Sequence, residues 1–238
     1  MRVADIRIDL ADRLYLNEFV TDKSGVRTIE ILGASFIADE ASIFGVVNED
    51  YVRRELEWYK STSLNVNDIP GKVPEIWKQV ADKDGLINSN YGWCIWAPEN
   101  FKQYESCLAE LIANPNSRRA VMIYTRPTMH TDAFHNGRSD FMCTNTVQYM
   151  IRNNRMHCAV MMRSNDVVFG YRNDRAWQLH VLNLLVDDYN RLSKGNVQTG
   201  DIHWLVGSLH VYERHFELVA ALGKAPPPFH NYSDYPIA

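Results

Sequence analysis

"TNTVQYMIRNNRMHCAVMMRS", residues 144–164, alternates apolar and polar side chains, breaks at Asn153-Asn154, and alternates again. Period-two alternation puts every second side chain on one face of a strand. Two such runs joined by a pair of asparagines are the signature of a β-hairpin. A long antiparallel hairpin is foreign to a sheet built only from strand–helix–strand crossovers, so this stretch weighs on the class of the whole chain.

Working outward, the other elements alternate irregularly. Residues 5–19 predict an amphipathic helix, and "VRTIEILGASFIA" (26–38) a strand entering the core. "NEDYVRRELEWYKS" (48–61) reads as a helix capped by Asn48, and "PENFKQYESCLAELIANP" (98–115) as a helix with a proline near each end. "SRRAVMIYT" (117–125) predicts a strand, "RAWQLHVLNLLVDDYNRL" (175–192) the most apolar helix, and "DIHWLVGSLHVYERHFELVAALG" (201–223) a strand running into a helix. The pattern predicts an α+β fold, a mixed sheet with flanking helices, over a doubly wound one. No GxGxxG or Walker loop argues otherwise. No repeat or linker divides the chain, so residues 1–238 are expected to form one catalytic domain.

Composition narrows the function classes. Hydrophobic residues make up 46% and charged ones 23%, as in an ordinary globular domain. A net charge of −4 argues against a sequence-independent grip on nucleic acid, so any phosphate should be held locally by a few arginines. Cys94, Cys107, Cys143 and Cys158 have neither CxxC spacing nor histidines at metal spacing, and no metal is expected. The N-terminus has no signal-peptide core and no run reaches transmembrane length. A cytoplasmic protein with reduced thiols and no membrane partner is the expectation.

Several residues have the chemistry for a site. Cys143, at the start of the hairpin, is either a small buried thiol, the usual state of a free cysteine, or a nucleophile. A nucleophile needs nearby positive charge to hold its thiolate, and Arg163 on the partner strand would provide it if the hairpin brings the two together. Position alone does not raise Cys143 above the other three cysteines. The Arg118-Arg119 doublet is either solvated surface charge or a guanidinium fork for a phosphate. Lys23, in the "DKSG" turn (22–25), is a further cation. His210 and Tyr212 either cap and pack or hydrogen-bond a sugar.

Taken together these residues fall within seven blocks: "DKSGVRTIEILGASF", "RELEWYKS", "INSNYGW", "NPNSRRAVMIYTRP", "SDFMCTNTVQY", "MRSNDVVFGYRNDRAW" and "GSLHVYERHF". In order and spacing the chain resembles the thymidylate synthase superfamily, and within it the deoxycytidylate hydroxymethylase branch of T-even phages. The resemblance implies that Cys143 adds to C6 of a pyrimidine, and that C5 then attacks the one-carbon unit of 5,10-methylenetetrahydrofolate. It implies that Glu55 organises water and relays protons, that Tyr91 assists loss of the C5 proton, and that Trp77 lines the folate side. It assigns Lys23, Arg163 and Ser164 to the phosphate, joined by Arg118 and Arg119 from the other subunit of a sheet-mediated homodimer with shared sites. His210 and Tyr212 would bind the deoxyribose, and Asp166 the base and the folate ring.

Asn173 and Asp174 are neighbours, so register decides which reads the base. The thymidylate synthase spacing of glycine, asparagine and alanine, laid on Gly170 and Ala176, puts Asp174 there, with Gly170 permitting close approach. Uracil presents a carbonyl and an N3–H, which suit an amide's donor and acceptor. Cytosine presents an amino group and a bare N3, which suit a carboxyl group that accepts from one and shares a proton with the other. Such a group stabilises mainly the attacked ring, so the expected substrate is dCMP. A mismatch there is worth roughly 10²-fold or more.

The resemblance therefore implies a deoxycytidylate 5-hydroxymethyltransferase supplying hydroxymethylcytosine for modified phage DNA in the host cytoplasm. A dUMP (hydroxy)methylase and a CMP hydroxymethylase are the alternatives within the class. A non-catalytic or RNA-binding relative is the rival outside it, opposed by the mild acidity and by Cys143, Glu55, Tyr91 and Asp174. Asp140-Phe141-Met142 and Thr144 replace the prolines and histidine that flank the cysteine in thymidylate synthases, which matches the hydroxymethylase branch. The tail "APPPFHNYSDYPIA" (225–238) departs from both branches.

Overall fold

The computed structural model describes residues 1–222; the proline-rich tail and Gly223 lie outside them. In chain order the regular elements are α1 (Val3–Tyr15), β1 (Phe19–Thr21), β2 (Arg27–Ile37), α2 (Glu49–Ser61), α3 (Glu75–Val80), α4 (Tyr91–Trp96) and α5 (Gln103–Ala113). They continue with β3 (Val121–Ile123), α6 (Asp132–His135), β4 (Thr144–Arg152), β5 (Arg155–Asp166), α7 (Gly170–Ser193), β6 (Gln198–Tyr212) and α8 (Phe216–Leu222).

The hairpin forms as its alternation predicts. Arg152 pairs with Arg155 across a two-residue turn, and Asn153 and Asn154 have φ of 50° and 58°. Both turn residues are thus in the left-handed region that asparagine tolerates and a tight antiparallel hairpin demands. The strands form a six-stranded sheet in the order β1-β2-β6-β5-β4-β3. All neighbours are antiparallel except β5 and β6. That parallel pair needs a crossover, which α7 provides, and the sheet is mixed as expected.

This topology gathers one end of the sheet. The C-terminal ends of β5 and β6 lie side by side, with Asp166 opposite His210. The start of β4 lies beside the end of β5, with Thr144 opposite Met162. The β1–β2 turn joins them, because Thr28 pairs with Tyr212. Helix α7 packs on β5 and β6 over a core that includes the fully buried Tyr149, Trp177 and Trp204. The opposite sheet face is only partly covered, leaving Leu32 76% and Met161 41% exposed with Leu205 and Ala159 beside them.

Several boundaries differ from the sequence expectation for identifiable reasons. Helix α7 begins at Gly170 rather than near residue 175, because the Asp166 carboxylate accepts from the backbone of Val168 and Phe169 and turns the chain into it. Helix α5 begins at Gln103, after a separate 3-10 turn at Pro98–Asn100 and left-handed Phe101 and Lys102. Strand β3 keeps only Val121–Ile123 of the longer stretch; Ser117 accepts from Arg119 N and holds a turn ahead of it. Asn48 caps α2 as expected, accepting from Tyr51 N at 3.0 Å. Among the described residues no helix is long and apolar enough to cross a membrane.

Candidate active site

Cys143 stands immediately before β4, and β5 returns Arg163 to it. Arg163 N donates to Cys143 O at 2.9 Å, and its guanidinium Nη2 lies 3.8 Å from Cys143 Sγ. The same guanidinium donates to the carbonyls of Phe141 and Met142 at 2.6 and 3.0 Å. One arginine therefore shapes the loop that presents the thiol and places positive charge against its sulfur. Burial, followed by the charge of Asp174, pushes the Cys143 thiol up to about 11, while Arg163 opposes the rise. Burial pushes Cys107 up to about 12 and drives Cys94 and Cys158 higher still. Cys143 is also half-buried, whereas the other three cysteines are buried. The structure supplies the distinction among the cysteines that sequence position did not.

Facing the thiol is a line of hydrogen-bonded groups. Thr144 Oγ1 lies 3.2 Å from the Tyr91 hydroxyl, which lies 3.2 Å from Asp174 Oδ1. Asp174 Oδ2 accepts from Asn165 Nδ2 at 2.8 Å, and Asn165 Oδ1 accepts from Trp204 Nε1 at 3.3 Å. Tyr91 is held on its ring faces and edges by Tyr59, Tyr124 and Trp177, with centroids 5.2, 5.3 and 6.3 Å away. Helix α4, which carries it, packs so closely that a Cβ on Gly92 would lie 1.8 Å from Tyr59 O. Asn90 caps this helix by accepting from Trp93 N at 2.8 Å.

Asp174, not Asn173, joins this line. Burial, then the neighbouring Glu55, pushes the Asp174 carboxyl up to about 8. Glu55 projects from α2 and is itself buried, pushed up to about 7 by desolvation. It accepts from the Tyr51 hydroxyl at 2.7 Å, and Trp77 Nε1 donates to that hydroxyl at 3.1 Å. Trp77 thus reaches Glu55 through Tyr51, a residue that no motif or spacing singles out. Two neighbouring carboxyl groups raised to the neutral range, one of them close enough to act on the Cys143 thiol, form an arrangement suited to proton transfer.

Behind the loop, Asp140 accepts from Asn88 N and Ser89 Oγ at 2.8 and 2.6 Å. Arg126 bridges Asn88 Oδ1 and Asp132. These contacts tie the segment before Cys143 to the segment before α4, so the parts of the chain that carry Cys143 and Tyr91 are braced against each other.

The other candidates fall into two groups. Ser164, Asp166, His210 and Tyr212 sit at the ends of β5 and β6, with the His210 and Tyr212 rings 5.0 Å apart. Asp166 uses its carboxylate on the turn into α7. Lys23 is exposed in the turn beside them; Asp22 shapes that turn by accepting from Ser24 and Val26. Arg118 and Arg119 are not brought to the site. They precede β3, next to the far end of β4, with Ala120 O accepting from Tyr149 N. At about 3.3 Å per residue that is roughly 20 Å from Cys143 along the strand, beyond an arginine's reach within one chain.

A family model described as thymidylate synthase matches residues 18–231. The chain belongs to the thymidylate synthase family. Within that family it is 57% identical over 236 residues to a deoxycytidylate 5-hydroxymethyltransferase of Enterobacteria phage T4, covering 99% of this chain and 96% of the relative. It is 60% identical over 220 residues to the enzyme of the same name from Enterobacteria phage T2, covering 92% and 89%. A thymidylate synthase of Francisella tularensis subsp. holarctica is 24% identical over 83% of this chain and 76% of the relative. The solved thermostable thymidylate synthase A of Bacillus subtilis superposes with a TM-score of 0.65 at 19% identity, covering 92% of this chain and 84% of that one. The fold is therefore thymidylate synthase-like, the mixed-sheet architecture expected from the hairpin and its flanking elements.

One cluster outside the site brings potential metal donors together. His157, Asp201 and His203 place ligand atoms within 4.8 Å of one another on the partly covered sheet face. Asp201 N already donates to His157 Nδ1 at 3.0 Å. A neutral imidazole has one lone pair, so a cation bound there would displace that bond. The cluster lies away from Cys143 and adds nothing to the thymidylate synthase-type site.

Proposed function

We propose that the chain is a deoxycytidylate 5-hydroxymethyltransferase, transferring the one-carbon unit of 5,10-methylenetetrahydrofolate to C5 of dCMP with addition of water. The near full-length relatives at 57% and 60% identity carry that name. The observation that carries the reading is Asp174, a carboxyl group held by Tyr91 and Asn165 where an amide would suit uracil. At neutral pH a carboxyl raised to about 8 carries its proton. It can then share that proton with a ring nitrogen as charge develops there. The same protonation removes the negative charge that pushes the Cys143 thiol up, so base recognition favours the thiolate that attacks C6.

Each further role rests on where the side chains lie. Arg163 holds the cysteine loop through two backbone carbonyls and keeps positive charge on its outer side for the nucleotide phosphate. Ser164, Lys23, His210 and Tyr212 share that end of the sheet and suit the phosphate and sugar. Tyr91, bonded to Thr144 and Asp174, is placed to pass the C5 proton along hydroxyls. Glu55, linked through Tyr51 to the Trp77 indole, holds protons and water on the folate side.

The partly covered sheet face and the stranded Arg118-Arg119 doublet support a homodimer packed sheet to sheet. Each doublet would complete the partner's phosphate site. Function in the cytoplasm of an infected host accords with the phage relatives.

Tritium release from C5-labelled dCMP tests the chemistry. Wild-type protein with methylenetetrahydrofolate should release tritium and yield 5-hydroxymethyl-dCMP with tetrahydrofolate, and Cys143→Ser should release none. A 5-methyl product with dihydrofolate would refute the water-capture step; tritium release by Cys143→Ser would refute the nucleophile.

A further inference from the structure

Asn165 is buried, 2% exposed, on β5 between two partners. Its Oδ1 accepts from Trp204 Nε1 at 3.3 Å and its Nδ2 donates to Asp174 Oδ2 at 2.8 Å. An indole N–H only donates, so the amide oxygen must face Trp204 and the amino group must face Asp174. The amide cannot flip without leaving two buried groups mismatched. Gly170 leaves space for this contact, since a Cβ there would lie 3.1 Å from Asn165 Nδ2. On the other side of Asp174, Oδ1 lies 3.2 Å from Tyr91, whose hydroxyl can donate or accept, with Thr144 beyond it.

We propose that Asn165 is a positioning residue that sets the polarity of Asp174: it reserves Oδ2 as an accepting oxygen and directs the carboxyl's proton to Oδ1, beside Tyr91. The proposal deepens the function argued above and rests on Asp174 reading the cytosine edge. With Asp174 ionised, Thr144 donates to Tyr91 and Tyr91 donates to Oδ1. With Asp174 protonated on Oδ1 and no base bound, that oxygen donates to Tyr91 and Tyr91 to Thr144; a bound cytosine takes up the same proton at its ring nitrogen instead. Only hydrogens move, and the chain reverses without any heavy atom shifting.

The other groups facing Asp174 do not fix Oδ2. Glu55 and Tyr59 approach from α2, Tyr91 from α4, Cys143 from the start of β4 and Asp166 from β5. All are acidic or hydroxyl groups, and of these only Tyr91 touches the carboxyl, at Oδ1. The locked amide is the neutral donor that breaks the symmetry of the two oxygens. It also favours the ionised form, since a hydrogen bond to a carboxylate lowers its pKa.

The test has two arms. In ligand-free protein, carboxyl-carbon NMR follows the titration of Asp174 in wild type, Asn165→Leu and Trp204→Phe. Asn165→Leu removes the donor, and Trp204→Phe keeps the amide but frees it to flip. Both are expected to raise the Asp174 midpoint by about one pH unit. In turnover, both should lower kcat with dCMP by about tenfold, with the KM for dCMP within about twofold, and move the pH profile in the same alkaline direction. An Asp174 midpoint and a pH profile unchanged in the folded variants would overturn the proposal, whatever the loss of rate. If Asn165→Leu fails to fold, Trp204→Phe decides alone. If wild type does not turn over dCMP, the functional reading fails, while the titration still decides what Asn165 does.

Discussion

Asp174 and Glu55 are carboxyl groups held out of water, and their burial has a stability signature. Both have folded-state values, about 8 and about 7, above the ordinary carboxylate range. The folded protein therefore binds more protons than the unfolded chain between roughly pH 4 and pH 8. Their contribution is fully present below the unfolded values and is lost as pH rises through the folded ones. Asp174→Asn is thus expected to flatten the fall in stability of the ligand-free protein between pH 6 and pH 9. It should leave the variant more stable than wild type at pH 9, by on the order of 1–3 kcal/mol. Urea unfolding at the two pH values checks this; equal pH slopes in both proteins would contradict it. At this scale the sequence was uneven. Register alone chose Asp174 over Asn173, and the structure places it in the hydrogen-bonded line. The contacts of Asn165, Tyr51 and Thr144 went unread, because they join β5 to α7, α2 to α3, and β4 to α4 across intervals of sequence that carry no local signal.

Two glycines show how elements set the distances on which these residues depend. Gly92 lies where α4 crosses α2 backbone to backbone, and an added Cβ would collide with Tyr59 O. Gly92→Ala is expected to destabilise the fold by more than ~3 kcal/mol, read as a fall in denaturation midpoint. Gly170 is different, because the nearest atom is the end of the Asn165 side chain. Alanine is intrinsically the better helix residue by up to about 1 kcal/mol. Gly170→Ala should therefore keep stability while displacing the amide from Asp174 and lowering kcat with dCMP several-fold. Loss of stability without loss of rate would contradict the reading. The hairpin, β2, α2 and the run from β6 into α8 were legible because periodicity and turn residues are local. Short α3, α4 and α6 were not, since so few residues leave little period to detect. Helix α4 nevertheless carries Tyr91, which only the resemblance located.

At the scale of the whole molecule, one end of the sheet carries Cys143, Arg163, Ser164, Asp166, His210 and Tyr212, with Lys23 in the adjoining turn. Helices α2, α3, α4 and α7 supply Glu55, Trp77, Tyr91 and Asp174, and Arg118 and Arg119 lie apart. The doublet sits about 20 Å away along β4, and no folding of one chain closes that gap. This predicts complementation. Arg119→Ala and Cys143→Ser proteins, each with less than about 1% of wild-type activity, should regain up to about a quarter when unfolded together and refolded as mixed dimers. Activity that fails to return would mean that the doublet works within its own subunit or not at all. No pattern in one sequence reports what a second copy contributes, so this part of the site rests on the resemblance and on the partly covered sheet face.

The most direct test is steady-state competition between dCMP and dUMP for wild-type protein and for Asp174→Asn. A carboxyl group that reads the amino edge of cytosine predicts that kcat/KM favours dCMP by about 10²-fold or more in wild type, and that the preference swings toward dUMP in the variant. The same dCMP preference in both proteins would contradict the account.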